Sequence, residues 1–140
     1  MKRQEQNSNA RPEISGSVVN MDQMEYIVTE DHKTEFPDPI LLKQGEKVII
    51  AEEASEKWPN WILCTKIDGS NKGWVPEQII KYENKYGTIT EDYSAKELNI
   101  TKGTIVEGLK ELNGWLWSKD IKTNEIGWIP LGKTKKLKLR

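Results

Sequence analysis

One cysteine, one histidine and one phenylalanine occur among 140 residues, and each scarcity removes a class of function. A single thiol, Cys64, makes no intramolecular disulfide and favours a reducing compartment. His32 has no second metal-ligand type clustered near it in sequence, so no metal site is expected. A Cys64–His32 nucleophilic pair would lack an orienting third group. No phosphate-binding glycine loop, carboxylate pair or Ser-His-Asp order stands out. The chain is therefore expected to be no enzyme and to need no cofactor.

Long apolar runs are missing too. Residues 1–23 carry charges without an apolar core, so they read neither as a signal peptide nor as a membrane span. A disordered tail is expected there, with a cytoplasmic location and no membrane contact. The formal net charge is −1, which makes no case for nucleic acid. It is unevenly spread: residues 24–82 hold seven basic and eleven acidic groups, residues 83–140 eleven and eight. The halves thus differ in sign, which helps them face each other or attract different partners. The basic run Lys133 to Arg140 reads as a closing strand with solvated charges.

Against these absences stand six tryptophans. Two stretches share one phrase, Trp61 to Pro76 and Trp115 to Pro130. Trp61 precedes Gly73 by twelve positions, as Trp115 precedes Gly127. Gly45 and Gly103 are 58 apart and the two Trp 54 apart, so four residues are missing from the second copy's loop before the Trp. Self-similarity of this kind marks a repeated unit, and loop deletion is where chains tolerate change.

Within each unit the pattern is short β-branched or aromatic runs between polar turns. In the first, Tyr26–Thr29, Lys47–Glu52, Trp61–Thr65 and Trp74–Val75 read as strands, with the apolar Ile40–Leu42 ending at the Gly45 turn. Pro76-Glu77-Gln78 reads as a tight helical turn, and Ile79–Tyr82 closes the unit. The second repeats this with strands at Tyr86–Thr90, Thr104–Gly108 and Trp115–Lys119, a loop at Glu91–Glu97, the apolar pair of Leu98–Ile100 before Gly103, and Gly127–Pro130. No stretch has the period of an amphipathic helix, so the fold class is all-β. The expected division is a tail at 1–23, one barrel at 24–82, a linker at 83–85 and a second barrel at 86–140.

Alternation assigns Ile62, Cys64, Leu116 and Ser118 to the interior and Trp74 and Trp128 to the outer sheet face. Trp117 is expected across the strand pair from Trp128. Asp38, before Pro39, suits a turn.

These pieces resemble the Src-homology 3 (SH3) domain, and more closely its bacterial tandem variants. Asp38 to Gly45 and Lys96 to Gly103 stand where that family has its Leu-x-Phe-x-x-Gly segment. Gly73-Trp74-Val75-Pro76 and Gly127-Trp128-Ile129-Pro130 stand where it has Gly-Tyr-Val-Pro. The resemblance spans about residues 24–138 and implies two small five-stranded SH3-like β-barrels, each with a shallow aromatic groove. Such grooves take extended, often proline-rich peptide, which loses little entropy on docking. The resemblance implies a floor of Trp61, Pro76 and Trp58 in the first unit, and of Trp115, Pro130 and Tyr93 in the second. Asp31, Glu35 and Asp38 would attract a basic ligand residue. Tyrosines expected beside the groove are replaced by Ile79 and Lys133.

The function expected is therefore binding of a peptide or protein segment by a monomer, without nucleic acid. One alternative is bacterial SH3-type binding of cell-wall glycan or stem peptide. Another is a structural or oligomer-forming protein whose Trp faces bury against each other.

Overall fold

Glu83-Asn84-Lys85 does not run as a spacer. In the computed structural model, which describes residues 24–54 and 58–137, Glu83 pairs with Tyr86 across a two-residue turn. Asn84 takes φ 61° there, a conformation that asparagine tolerates and tight hairpins use. The chain therefore reverses at once, and the first strand of the second repeat is laid against the last strand of the first.

The first repeat contributes β1 (Glu25–Val28), β2 (Leu41–Leu42), β3 (Lys47–Ala54), β4 (Trp61–Lys66), β5 (Lys72–Pro76) and β6 (Ile80–Glu83). The second contributes β7 (Tyr86–Ile89), β8 (Tyr93–Ser94), β9 (Ile105–Leu112), β10 (Trp115–Asp120), β11 (Ile126–Pro130) and β12 (Thr134–Lys136). Glu77–Ile79 and Leu131–Lys133 form single 3₁₀ turns after Pro76 and Pro130. The fold is all-β. No helix among the described residues is long and apolar enough to cross a membrane. The tail expected at 1–23 lies outside the described residues, as do the last three residues of the basic run.

Two five-stranded sheets have the orders β5-β4-β3-β7-β6 and β11-β10-β9-β1-β12, and β2 pairs with β8 in a third, two-stranded sheet. Each large sheet thus contains one strand from the other repeat. β7 sits between β3 and β6, with Val48 opposite Gly87 and Ile80 opposite Ile89. β1 sits between β9 and β12, with Tyr26 opposite Val106 and Lys136. The pairing crosses the boundary expected between 24–82 and 86–140. The sheets are also not closed barrels as expected. Their edge strands, β5 with β6 and β11 with β12, are joined by a 3₁₀ turn rather than by a ladder. A proline ends each inner edge strand, and it has no N–H to extend one.

The same exchange divides the two cores. One joins Ile40, Leu42, Val48, Cys64, Val75, Ile79 and Ile80 to Ile89 of β7. The other joins Leu98, Ile100, Val106, Leu116 and Ile129 to Tyr26 and Val28 of β1. Val28 and Ile89 are each 1% exposed, and burying such a side chain is worth about 1.5–3 kcal/mol. Each first strand is therefore held by the other repeat's core.

Equivalent docking contacts make the exchange register-compatible. Thr29-Glu30-Asp31 follows β1, and Thr90-Glu91-Asp92 follows β7. The Gly103 N–H donates to Val28 O at 2.8 Å, and the Gly45 N–H donates to Ile89 O at 2.7 Å. Asp31 Oδ1 accepts from Lys102 N at 2.7 Å; Asp92 Oδ1 accepts from Gln44 N at 2.8 Å. Thr29 N donates to Lys133 O, and Thr90 N to Ile79 O. Both strands dock by one set of bonds.

Candidate functional site

The exchange brings the tryptophan faces of the two repeats together. Trp61 begins β4 and Trp115 begins β10, each opposite the proline that ends the neighbouring strand. Alternation turns both rings away from their own sheet's interior, and there they meet. Their ring centroids are 6.3 Å apart at 74°. Trp61 also meets Trp128 at 5.8 Å and 84°, and Trp58 lies on Trp115 at 5.0 Å. Trp117 packs on Trp128 at 5.1 Å, across the strand pair where the sequence places it. Tilted and edge-to-face contacts match the quadrupoles of aromatic rings. Five tryptophans form one connected chain.

Polar contacts lock this junction around Asn113, in the turn before Trp115. Asn113 takes φ 49°. Its carbonyl accepts the Trp61 indole N–H at 3.0 Å. Its carboxamide exchanges two hydrogen bonds with that of Gln78, at 2.7 and 2.9 Å, and also donates to Asn60 O at 3.0 Å. Trp61 is consequently only 5% exposed. Alternation places Trp128 on the outer face, yet it is 6% exposed. Trp61 covers it, and its indole N–H donates to Ser94 O at 2.9 Å.

Trp115 differs from both. It is half-buried, and its indole N–H has no protein acceptor comparable to those of Trp61 and Trp128 among the described residues. Beside it stands His32, edge-on at 5.8 Å and 79°. His32 comes from the segment after β1 and reaches this place because β1 has crossed. Its main chain bridges Ile100 in both directions at 2.8 Å. Its Nε2 is 2.8 Å from Glu97 Oε1, and Lys133 Nζ is 3.2 Å from its Nδ1.

The expected groove residues are thus redistributed. Trp61, Trp58 and Trp115 come together, where two separate floors were expected. Pro76 and Pro130 are buried beneath them as the Cα partners of Trp61 and Trp115. Tyr93 belongs with the first repeat's core, and its hydroxyl donates to Trp74 O at 2.9 Å. Burial pushes the Tyr93 phenol up, with Glu97 and Cys64 adding to the shift. Asp31 goes with the second repeat. Its carboxylate binds Lys102 N, and its carbonyl accepts from Lys133 Nζ at 3.2 Å. Glu35 and Asp38 lie exposed on the segment that crosses between the sheets, and Asp38 O accepts from Asn71 Nδ2.

Sequence reasoning did not find His32, Glu97 or Asn113 as neighbours of this face, while it places Lys133 beside the second groove in the position of a groove tyrosine. The shared Thr-Glu-Asp triplet was the available signal, since it aligns His32 with Tyr93, a groove candidate. Cys64 is fully buried in the core, and burial pushes its thiol up to about 12. Among the described residues no group of three or more His, Cys, Asp and Glu is placed to hold a metal ion.

Among curated proteins none matches the chain significantly. Residues 26–83 match the family model of the variant SH3 domain, which supports a binding-module role in general terms. That segment holds β1 but ends before β7, so it is contiguous in sequence and not in strand pairing.

Proposed function

We propose that the chain is a non-enzymatic binding module that takes an extended, proline-containing peptide or protein segment on the Trp58–Trp115–His32 face. The observation that carries this is the asymmetry between the tryptophans. The Trp61 indole N–H is consumed by Asn113, while that of Trp115 has no such partner and its ring is half-buried. A half-open aromatic floor with an available donor suits a flat ring and a backbone carbonyl from an extended chain. Asp31 and Glu35, close to His32 in sequence and exposed, favour a ligand with a basic residue.

Trp61 and Trp128 favour a second reading for their half of the junction. Both rings are buried against the other repeat, so there the aromatic faces act structurally, inside one molecule. The test is an amide and indole NMR titration of the whole chain with mixed proline-rich basic peptides. The proposal expects indole shifts at Trp115 and Trp58, lost in Trp115→Ala, with the Trp61 signal unmoved. No indole shift with any peptide would overturn it.

A further inference from the structure

His32, the only histidine in the chain, is engaged at both ring nitrogens by groups of opposite charge. Lys133 Nζ approaches Nδ1 at 3.2 Å, and Glu97 Oε1 approaches Nε2 at 2.8 Å. An ammonium has donors and no acceptor. Nδ1 must therefore accept, which leaves the ring's one proton on Nε2, donated to Glu97. The neutral Nε2–H tautomer follows from the geometry.

A second proton has only Nδ1 to occupy. There it would place an N–H against the Lys133 ammonium, removing that hydrogen bond and setting two positive charges face to face. Glu97 would gain an ion pair with the imidazolium. Protonation thus exchanges one neighbour for the other, holding Glu97 and expelling Lys133. Among the remaining charged residues described nearby, none offers Lys133 a carboxylate; its other contact is with main chain. Asp31 offers the ammonium its backbone carbonyl at 3.2 Å, while its carboxylate is taken by Lys102 N. Lys33 and Asp120 line the adjoining cavity with Asp31 and His32. Asp120 Oδ1 is committed to the Lys122 N–H at 2.9 Å.

Lys133 ends the 3₁₀ turn that follows Pro130, so its position borders the Trp115 face. We propose that His32 is a protonation latch for this face: protonation of the ring at Nδ1 drives Lys133 off it. The freed ammonium then weakens binding of a basic ligand segment. The proposal rests on the reading of the Trp115 face as the ligand surface, and its test needs no ligand.

Imidazole and indole ¹⁵N signals of the free full chain would be followed from pH 8 to pH 5. The Nε2–H tautomer is expected at pH 8, and the Trp115 indole and Lys133 side-chain signals should move together with the His32 titration. His32→Gln keeps a donor and an acceptor but no proton site, so the Trp115 shift should vanish in it. An Nδ1–H tautomer at pH 8, or a Trp115 shift that persists in His32→Gln, would overturn the latch. Should His32→Gln not fold, Lys133→Met gives the same decision. Glu97 still keeps the proton on Nε2 in that variant, so the Trp115 shift that accompanies acidification, no longer carried by a departing ammonium, should vanish; a shift that persists refutes the latch. Peptide titration at pH 8 reports separately on the ligand surface, so either idea can fail alone.

Discussion

Replacing Trp61 with alanine separates a structural junction from an open groove by the size of its effect on stability. Trp61 is 5% exposed, packs on Trp115 and Trp128 and donates to Asn113 O. Truncating a buried Trp to Ala costs about 3–5 kcal/mol, and the lost hydrogen bond adds about 1 kcal/mol. Trp61→Phe keeps most of the ring contact and should cost roughly 1–2 kcal/mol by the same bookkeeping. With a urea slope of about 1.5 kcal/mol/M, Trp61→Ala should lower the unfolding midpoint by about 2 M or more. Trp115→Ala should cost less, about half as much, because its ring is only half-buried. Urea unfolding followed by far-ultraviolet circular dichroism avoids the fluorescence the substitution removes. A cost below about 1 kcal/mol for Trp61→Ala, the range of exposed sites, would mean that Trp61 faces solvent and the junction is misplaced.

Three further predictions follow from single residues. Gly108 lies against the exchanged strand, and a Cβ there would overlap the Tyr26 ring, with Cδ1 at 2.9 Å. Gly108→Ala should destabilise by about 1–3 kcal/mol and lower amide-exchange protection in β1, 80 residues away in sequence; an effect confined to β9 would count against the pairing. The Tyr26 hydroxyl donates to Glu111 Oε2 at 2.6 Å, and burial, then that bond and the Glu111 charge, push its phenol up to about 12. Raised above its usual value near 10, it contributes stability that is complete below pH 10 and lost as pH climbs through 12. Urea midpoints should fall over that window in the native chain and fall less in Tyr26→Phe; equal slopes would refute the assignment. Cys64, with its thiol pushed up by burial, should resist a disulfide reagent at pH 8 until the chain is unfolded in urea. Rapid labelling of the folded protein would place it outside the core.

Much of the fold is legible in the sequence because the signals are local. Most strand runs, the 3₁₀ turn after Pro76 and the Trp117–Trp128 pair arise from residues within a few positions or one hairpin. By contrast, β8 lies in a stretch, Glu91–Glu97, that reads as a loop because its partner β2 is distant in sequence. Cys64, Leu116 and Ser118 are buried as alternation requires. Strand exchange is not local. Val28 and Ile89 are apolar residues of similar shape, flanked by the same Thr-Glu-Asp, so either can dock on either core. What decides between them is the Glu83–Tyr86 hairpin, whose two-residue turn leaves β7 no path except back along β6. That choice then relocates the site. His32 is carried to Trp115, Tyr93 to the core behind Trp74, and the two aromatic faces are closed on each other.

The exchange itself is the central claim, and cross-strand proton contacts measure it most directly. In a nuclear Overhauser spectrum of the whole chain, Tyr26 and Ile27 should show backbone contacts to Val106 and Ile105 on one side and to Lys136 and Lys135 on the other. Tyr86 and Gly87 should contact Ile49 and Val48. Contacts from β1 to β3 and β6 instead would mean that each repeat closes on itself, and the shared tryptophan face would be lost with the exchange.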